Sequence, residues 1–297
     1  MGPPFSRVCC IMNPVAGTRR KVRADVVGAL EGAGVDYTFW ETTHPGHAFE
    51  LACVALQQAC DLVLAIGGDG TVNEVGRALV GSSIPLGVVP MGSGNAFARA
   101  LGISLKPERA VVQALTSQVK ALDVGTVGNM IFLSTAGIGL DAAVAFRYGR
   151  RTNKRRGLWP YLMLTAQVLM AFRSVPVRLV LDETNGYDVC PLLVTVANTA
   201  QFGNGAIIAP GAVPHDGILS VCVIEDDRRL GTILNAWRLF HGSIDQLPNV
   251  TLYKARAVCI KRATPGGFQA DGEACNGPAQ LDFGVRPGAL RVVLPAD

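Results

Sequence analysis

The first part of the chain alternates short unbroken apolar runs with longer segments whose apolar residues recur every three or four positions. Unbroken apolar runs suit strands buried on both faces, and the longer period suits covering helices, so the pattern predicts a parallel α/β sheet. Strands are expected at Val8–Met12, Tyr37–Glu41, Leu62–Ile66 and Ile84–Val89. Helices are expected at Lys21–Glu31, His47–Ala59, Val72–Leu79, Asn95–Leu101 and Pro107–Ser117, the last with its proline in the first turn, where no N–H is needed. From Lys120 the pattern changes. Strand-length runs follow at Ala121–Val127, Ile131–Ala136, Val177–Leu181, Leu192–Asn198, Leu219–Ile224, Ala257–Lys261 and Leu290–Leu294, with helical interruptions only at Leu158–Phe172 and Leu230–His241. The expectation is an α/β domain over residues 1–122, with helices on both faces of its sheet, and a mainly β domain over residues 123–297.

Each predicted strand of the first domain ends in a polar or glycine-rich turn: Asn13-Pro14-Val15-Ala16-Gly17, Thr42-Thr43, Gly67-Gly68-Asp69-Gly70-Thr71 and Gly92-Ser93-Gly94-Asn95. Ligands of open α/β sheets sit at the carboxyl ends of the strands, so the four turns are expected to line one cleft. Gly67, Gly68 and Gly70 lack the β-carbons that would keep phosphate oxygens from the backbone N–H groups. A helix starting near Thr71 would aim its positive end at the same place. Asp69, inside such a turn, would repel a phosphate unless a cation lay between them, and a magnesium-bound nucleoside triphosphate meets that condition. Thr71 adds a hydroxyl, and Asn73 and Glu74 are placed to hold the turn or reach the metal's waters. Near the other end of the chain, Asp271-Gly272-Glu273 sets two carboxylates around a glycine, a candidate proton acceptor for a hydroxyl substrate. An ordinary Asp-Gly surface turn is the alternative reading.

Composition narrows the field. A net charge of +4, from 27 basic and 23 acidic residues, does not mark a nucleic-acid binder. Eight cysteines lie scattered through apolar segments without a C-x-x-C pair, as reduced thiols of a cytoplasmic protein do, and the four histidines form no zinc pattern. Met1–Ser6 lacks the form of a signal peptide, and Gly2 before Pro3 makes a poor myristoylation site. The longest apolar stretch, Leu158–Phe172, is too short to span a bilayer and contains Pro160 and Gln167. Gly137-x-Gly139-x-x-Ala142 imitates a dinucleotide fingerprint, but no acidic residue follows between Asp141 and Asp182, so a tight turn is expected there. Neither a G-x-x-x-x-G-K-[ST] phosphate loop nor a G-x-S-x-G nucleophile elbow is present.

Taken in order, N-P-x-x-G at Asn13–Gly17, G-G-D-G-T-x-N-E at Gly67–Glu74, P-x-G-S-x-N at Pro90–Asn95, D-G-x-L at Asp216–Leu219 and D-G-E at Asp271–Glu273 resemble the motifs of diacylglycerol-kinase-type lipid kinases. The chain is similar over nearly its full length to the soluble bacterial branch of that family, relatives of sphingosine and ceramide kinases. The resemblance implies an ATP-binding α/β domain of the NAD-kinase and phosphofructokinase type, a C-terminal β-sandwich, and catalysis in the cleft between them. ATP would be bound by Asn13, Pro14, Gly17, Thr42, Gly67, Gly68, Asp69, Gly70, Thr71, Val72, Asn73, Glu74, Gly92, Ser93 and Asn95. Asp271 would be the general base, supported by Glu273 and Asp123. Asp69 would serve the catalytic Mg2+, and Val213, Asp216 and Ile218 a separate structural Mg2+.

Two departures bear on the acceptor. Ser93 replaces the usual threonine but keeps its hydroxyl, and Ala96 stands where many bacterial members carry aspartate, closer to sphingosine kinases. Arg147, Arg150, Arg151, Lys154, Arg155 and Arg156 precede the apolar Leu158–Leu164, so residues 147–164 suit either a peripheral contact with the inner membrane face or a core-packed helix. The sequence therefore favours ATP-dependent phosphorylation of diacylglycerol or a related lipid. The alternatives are a sphingoid-base or ceramide kinase, an NAD kinase, and a nucleotide-binding membrane regulator without catalysis; a homodimer is left open.

Overall fold

The apolar runs near the N-terminus become a parallel sheet. The computed structural model describes residues 5–14, 19–58, 60–149, 158–182, 186–226, 231 and 234–295. Its chain divides into two compact units, Met1–Leu122 with Gly288–Asp297, and Asp123–Pro287.

In unit 1, β1 (Arg7–Met12), α1 (Arg19–Gly32), β2 (Asp36–Glu41), α2 (His47–Gln57), β3 (Leu62–Gly67), α3 (Asp69–Leu79), β4 (Leu86–Pro90), α4 (Ala96–Ala100) and α5 (Pro107–Thr116) follow in that order. The strands lie in the order β2-β1-β3-β4 and all pairs are parallel. Every residue of β3 and β4 is buried, as unbroken apolar strands require when helices cover both faces. The helices pack in two pairs, α2 with α3 and α1 with α5.

The chain's last strand, β18 (Gln280–Leu294), is longer than the sequence suggested because it continues through Pro287-Gly288, which reads as a breaker. Val292 pairs parallel with Leu86 at the edge of β4. That pairing draws residues 288–297 into unit 1, correcting their placement in the second domain.

Unit 2 is a β-sandwich. One sheet runs β14 (Val250–Ala255), β13 (Leu219–Glu225), β10 (Pro191–Ala197), β7 (Thr135–Gly139), β16 (Gly266–Ala270), β17 (Glu273–Gly277), antiparallel throughout. The other is built from β8 (Val177–Leu181), β9 (Tyr187–Val189), β15 (Ala257–Arg262), β5 (Gln118–Val127), β6 (Met130–Phe132) and the first part of β18. A small hairpin joins β11 (Gln201–Gly203) to β12 (Ala206–Ile207).

Along β10 the side chains alternate between two cores. Val194 and Val196 meet Leu179, Ile260 and Phe283 inside the sandwich. Leu193 and Ala197 face a second core with Leu140, Val144, Leu164 and Leu169, contributed by α6 (Leu140–Gly149) and α7 (Leu158–Ala171). Burial on both faces explains why β10 reads as one apolar run. Of the predicted helix Leu230–His241, the described residues are helical at Gly231 and Leu234 and again in α8 (Arg238–His241), with residues 227–230, 232 and 233 outside the described set. The single strand expected at Ile131–Ala136 is instead β6 and β7, interrupted at Leu133-Ser134. The tight turn expected at Gly137–Ala142 is a direct passage from β7 into α6, where Gly139 takes a positive φ of 104°.

That passage places Asp141 in the first turn of α6 with its carboxyl enclosed. Its Oδ1 accepts the Ala142 N–H at 2.7 Å, and its Oδ2 accepts Gln269 Nε2 at 3.2 Å and Thr195 Oγ1 at 3.4 Å. Desolvation dominates these hydrogen bonds and pushes the Asp141 acid up to about 7. The folded chain therefore holds this proton more tightly than the unfolded chain does. The stabilisation is full below the ordinary value of 3.8 and is lost as pH rises through about 7. Denaturant titrations across that window should show wild-type stability falling by about 2 kcal/mol more than that of Asp141→Asn, a figure reduced from the full shift because the residue keeps some exposure.

Candidate functional site

The parallel register of unit 1 brings its strand ends level. Met12 lies opposite Glu41 on one side and Ile66 on the other, and Gly67 opposite Pro90. The next residue of three strands donates to a neighbouring strand's end: Thr42 N–H to the Met12 carbonyl at 2.9 Å, Asn13 N–H to Ile66 at 2.9 Å, and Met91 N–H to Gly67 at 2.7 Å. Asn13 and Pro14 are half-buried, as is Thr42. Gly17 lies outside the described residues.

The two glycine-rich turns press backbone against backbone. A β-carbon on Gly68 would meet the Gly92 Cα at 3.2 Å, and one on Gly92 would meet the Gly68 Cα at 2.8 Å. Gly67 lies beneath Thr71, whose Oγ1 would be 2.5 Å from an added β-carbon. These three glycines are bare because the fold packs against them, a different reason from the phosphate approach read in the sequence. Gly70 differs: it is exposed, with nothing among the described residues within 4 Å of an added β-carbon.

Helix α3 begins at Asp69 rather than near Thr71, with Gly68 as N-cap. Thr71 is buried with its hydroxyl side packed over Gly67, and Val72 belongs to the core, so neither side chain is exposed toward a ligand. Glu74 caps the preceding helix: its Oε1 accepts the Gly46 N–H at 3.0 Å and its Oε2 the Ala48 N–H at 3.1 Å, at the start of α2. Asn73 is half-buried and engaged with a neighbour. Asn95, left-handed at φ 48°, spends its amide on the loop, accepting the Gly92 N–H at 2.9 Å and donating to the Gly92 carbonyl at 2.9 Å. Ser93, between them, is exposed.

Asp69 Oδ1 accepts the Phe97 N–H at 3.3 Å, which ties the first glycine-rich turn to the start of α4. Desolvation raises the Asp69 acid, opposed by the N–H groups of Phe97, Ala96 and Asn95. A nearby divalent cation would offset that desolvation, and a single carboxylate with phosphate oxygens is a usual Mg2+ donor set, so these residues fit the ion.

In unit 2, Asp271-Gly272 is the two-residue turn of the hairpin β16–β17, with Ala270 opposite Glu273 and positive φ angles of 47° and 80°. The Asp271 carboxylate reaches back to the break between β6 and β7, accepting from the N–H groups of Leu133 at 2.6 Å, Ser134 at 2.7 Å and Thr135 at 3.0 Å. It is this carboxylate that turns the chain there. Gln269, missed in the sequence, is buried and links the hairpin to Asp141, since its Oε1 accepts the Gly272 N–H at 2.9 Å. Glu273 is exposed.

Asp123 is buried and clasps the 214–217 loop, accepting the Gly217 N–H on Oδ2 at 2.7 Å and donating its own N–H to the Pro214 carbonyl at 2.8 Å. Asn198, also missed, donates Nδ2 to the Asp123 carbonyl at 2.8 Å and the Leu133 carbonyl at 2.9 Å. Its Oδ1, with Thr199 Oγ1 and Gln201 Oε1, is buried without a hydrogen-bond partner among the described residues. A polar residue ending an apolar strand was the available signal for Asn198. Of Val213, Asp216 and Ile218, the Asp216 carboxylate is already engaged: Oδ1 accepts the Ile218 N–H at 3.0 Å, and Oδ2 pairs with Lys254 Nζ at 3.3 Å.

His44, His47 and Glu50 cluster at the start of α2, with possible ligand atoms within 4.8 Å of one another. The Thr43 N–H donates to His47 Nδ1 at 3.1 Å, which uses the lone pair of that nitrogen and opposes a metal there.

Residues 7–127 match the diacylglycerol kinase catalytic domain, and residues 134–294 match the YegS C-terminal NAD kinase beta sandwich-like domain. A diacylglycerol kinase of Mycobacterium tuberculosis is 31% identical, over 98% of this chain and 96% of its own. A probable lipid kinase, YegS-like, of Pseudomonas fluorescens is 32% identical over 97% and 95%. A solved Bacillus anthracis structure aligns with a TM-score of 0.82 at 23% identity, over 98% of this chain and 95% of that one, which is a likeness of fold. With both domains matched and the motifs in order along them, the chain belongs to the diacylglycerol kinase catalytic-domain family of lipid kinases.

Proposed function

We propose that the protein transfers the γ-phosphoryl group of ATP to a hydroxyl of diacylglycerol or a closely related membrane lipid. The observation that carries the nucleotide half is Gly70. A glycine in the first turn of a helix costs up to about 1 kcal/mol relative to alanine, and no neighbour among the described residues requires this one. A ligand approaching the backbone would require it. The first N–H groups of α3 have no partner within the helix and offer themselves to phosphate oxygens, with the exposed Ser93 hydroxyl in the adjoining turn. Between Gly67 and Asn95 the one basic residue is Arg77, in the last turn of α3. Phosphate charge would be met by backbone dipoles, by the Arg99 guanidinium, whose Nε donates to the Gly94 carbonyl at 3.0 Å in the turn that carries Ser93, and by Mg2+, which, if bound at Asp69, would supply positive charge for phosphoryl transfer.

On the acceptor side Asp271 takes the proton as the lipid oxygen bonds to phosphorus and the bond to ADP breaks. Three N–H donors address that carboxylate as an ionised acceptor and fix its direction. Glu273 adds a second, solvent-facing carboxylate.

A lipid partner is supported by the surface of unit 2. Residues 150–157 of the basic segment lie outside the described residues, but Met163 and Met170 are exposed on α7. Leu234, Trp237 and Phe240 are exposed at three-residue spacing, with the Arg238 guanidinium 5.2 Å from the centre of the Trp237 ring. Apolar and aromatic side chains beside cations suit an anionic lipid interface. Among the described residues no helix is long and apolar enough to cross a membrane.

Incubation with γ-labelled ATP should label diacylglycerol or a related lipid in an extract and leave NAD unlabelled; labelled NAD without labelled lipid would overturn the reading. Gly70→Ala should raise the KM for ATP about tenfold while keeping or slightly raising thermal stability, since the change removes only an approach path. Asp271→Asn should abolish turnover and also cost about 1–3 kcal/mol in denaturant titrations, because the new amide group faces N–H donors. Glu273→Gln should slow turnover with stability within about 0.5 kcal/mol of wild type.

A further inference from the structure

We infer that Lys254 takes the place of a metal ion at the 211–218 loop, so that this loop is held by a built-in ammonium and needs no divalent cation. The inference goes beyond the kinase reading and does not depend on it. Lys254 sits on β14 directly opposite Ser220 of β13, two residues after Ile218, so the strand ladder itself delivers its side chain to the loop. Its Nζ lies 3.3 Å from Asp216 Oδ2 and 3.3 Å from the Gly211 carbonyl, a carboxylate and a main-chain oxygen of the kind that bind Mg2+. The other oxygen of Asp216 accepts the Ile218 N–H. Asp216 is the one acidic residue between Gly211 and Ile218, and Lys254 already balances its charge. A divalent ion placed there would face the ammonium at close range with no second carboxylate from the loop to compensate.

The lock reaches further than the ion pair. Gly217, between Asp216 and Ile218, donates to Asp123, and Pro214 accepts from the Asp123 N–H. Lys254 therefore acts as a positioning residue for the loop that holds Asp123.

Hydrogen exchange of the segment around Gly217 and Ile218, in the full-length protein without nucleotide or lipid, reads this directly. In the wild type and in Lys254→Arg, exchange should be the same in chelator as in millimolar Mg2+. Lys254→Met should exchange faster by up to about fivefold in chelator, as expected for a surface ion pair, and recover protection in Mg2+ as the ion enters the vacated place. Wild-type protection that rises with Mg2+ and loses that response in Asp216→Asn would overturn the inference, as would a Lys254→Met protein that behaves as wild type in both conditions. Because no substrate is present, neither outcome depends on which phosphoryl acceptor the protein uses.

Discussion

The close approach of Gly68 to Gly92 sets the geometry on which the rest of unit 1 depends. Two turns can touch Cα to Cα only when both lack side chains, and here each glycine fills the space that the other's β-carbon would need. That contact fixes where α3 begins and how the loop before α4 is folded, with Asn95 closing the second turn on itself. Helix starts are where unpartnered N–H groups gather. Packing two glycine turns together is thus a way of bringing two such starts to one edge of a sheet.

A second theme runs through both units. Apart from the exposed Glu273, the acidic residues that read as catalytic or metal-binding in the sequence are, in the fold, acceptors for backbone N–H groups. Glu74 caps α2, Asp69 reaches Phe97 at the start of α4, Asp123 holds Gly217, Asp216 holds Ile218, and Asp271 turns the chain between β6 and β7. A carboxylate so held cannot swing, which is a requirement for a base or a metal ligand. It also means that replacing such a residue removes structure along with chemistry. The exposed Glu273 separates the two more cleanly than Asp271 does.

Much of this was legible in the sequence where burial and turn chemistry agree. β1, β3 and β4 are unbroken apolar runs closed by glycine or asparagine, and they stand where the pattern put them. The hairpin β16–β17 was missed because Gly266-Gly267-Phe268-Gln269-Ala270 and Glu273-Ala274-Cys275-Asn276-Gly277 show little apolar alternation; their strand state comes from pairing with each other and with β7. β18 was underestimated because Pro287-Gly288 sits within it. Asp141 gave no signal at all. Its role depends on Thr195 and Gln269, which lie on strands remote in sequence, and a period of apolar residues cannot report such a meeting. The same limit applies to the motif residues: the resemblance names Thr71, Val72 and Asn95 as a group but cannot say that the first two face inward and the third bonds to its own loop.

The two units handle negative charge in opposite ways, and the contrast bears on what each can do. In unit 2 the Asp216 carboxylate meets a lysine carried on a strand, so its charge is balanced within the chain and the loop is complete by itself. In unit 1 the glycine-rich turns carry no basic residue of their own, the Arg99 guanidinium of α4 is engaged with the Gly94 carbonyl, and burial already disfavours the ionised form of Asp69. A carboxylate left in that state is poorly arranged for stability alone, since a neutral cap such as asparagine or serine would satisfy the Phe97 N–H without the desolvation. Its retention is understandable if a cation arrives from outside together with phosphate. On the two proposals made above, a divalent ion would be needed at the glycine turns, where it would serve the reaction, and not at the loop around Asp216, where it would serve only the fold.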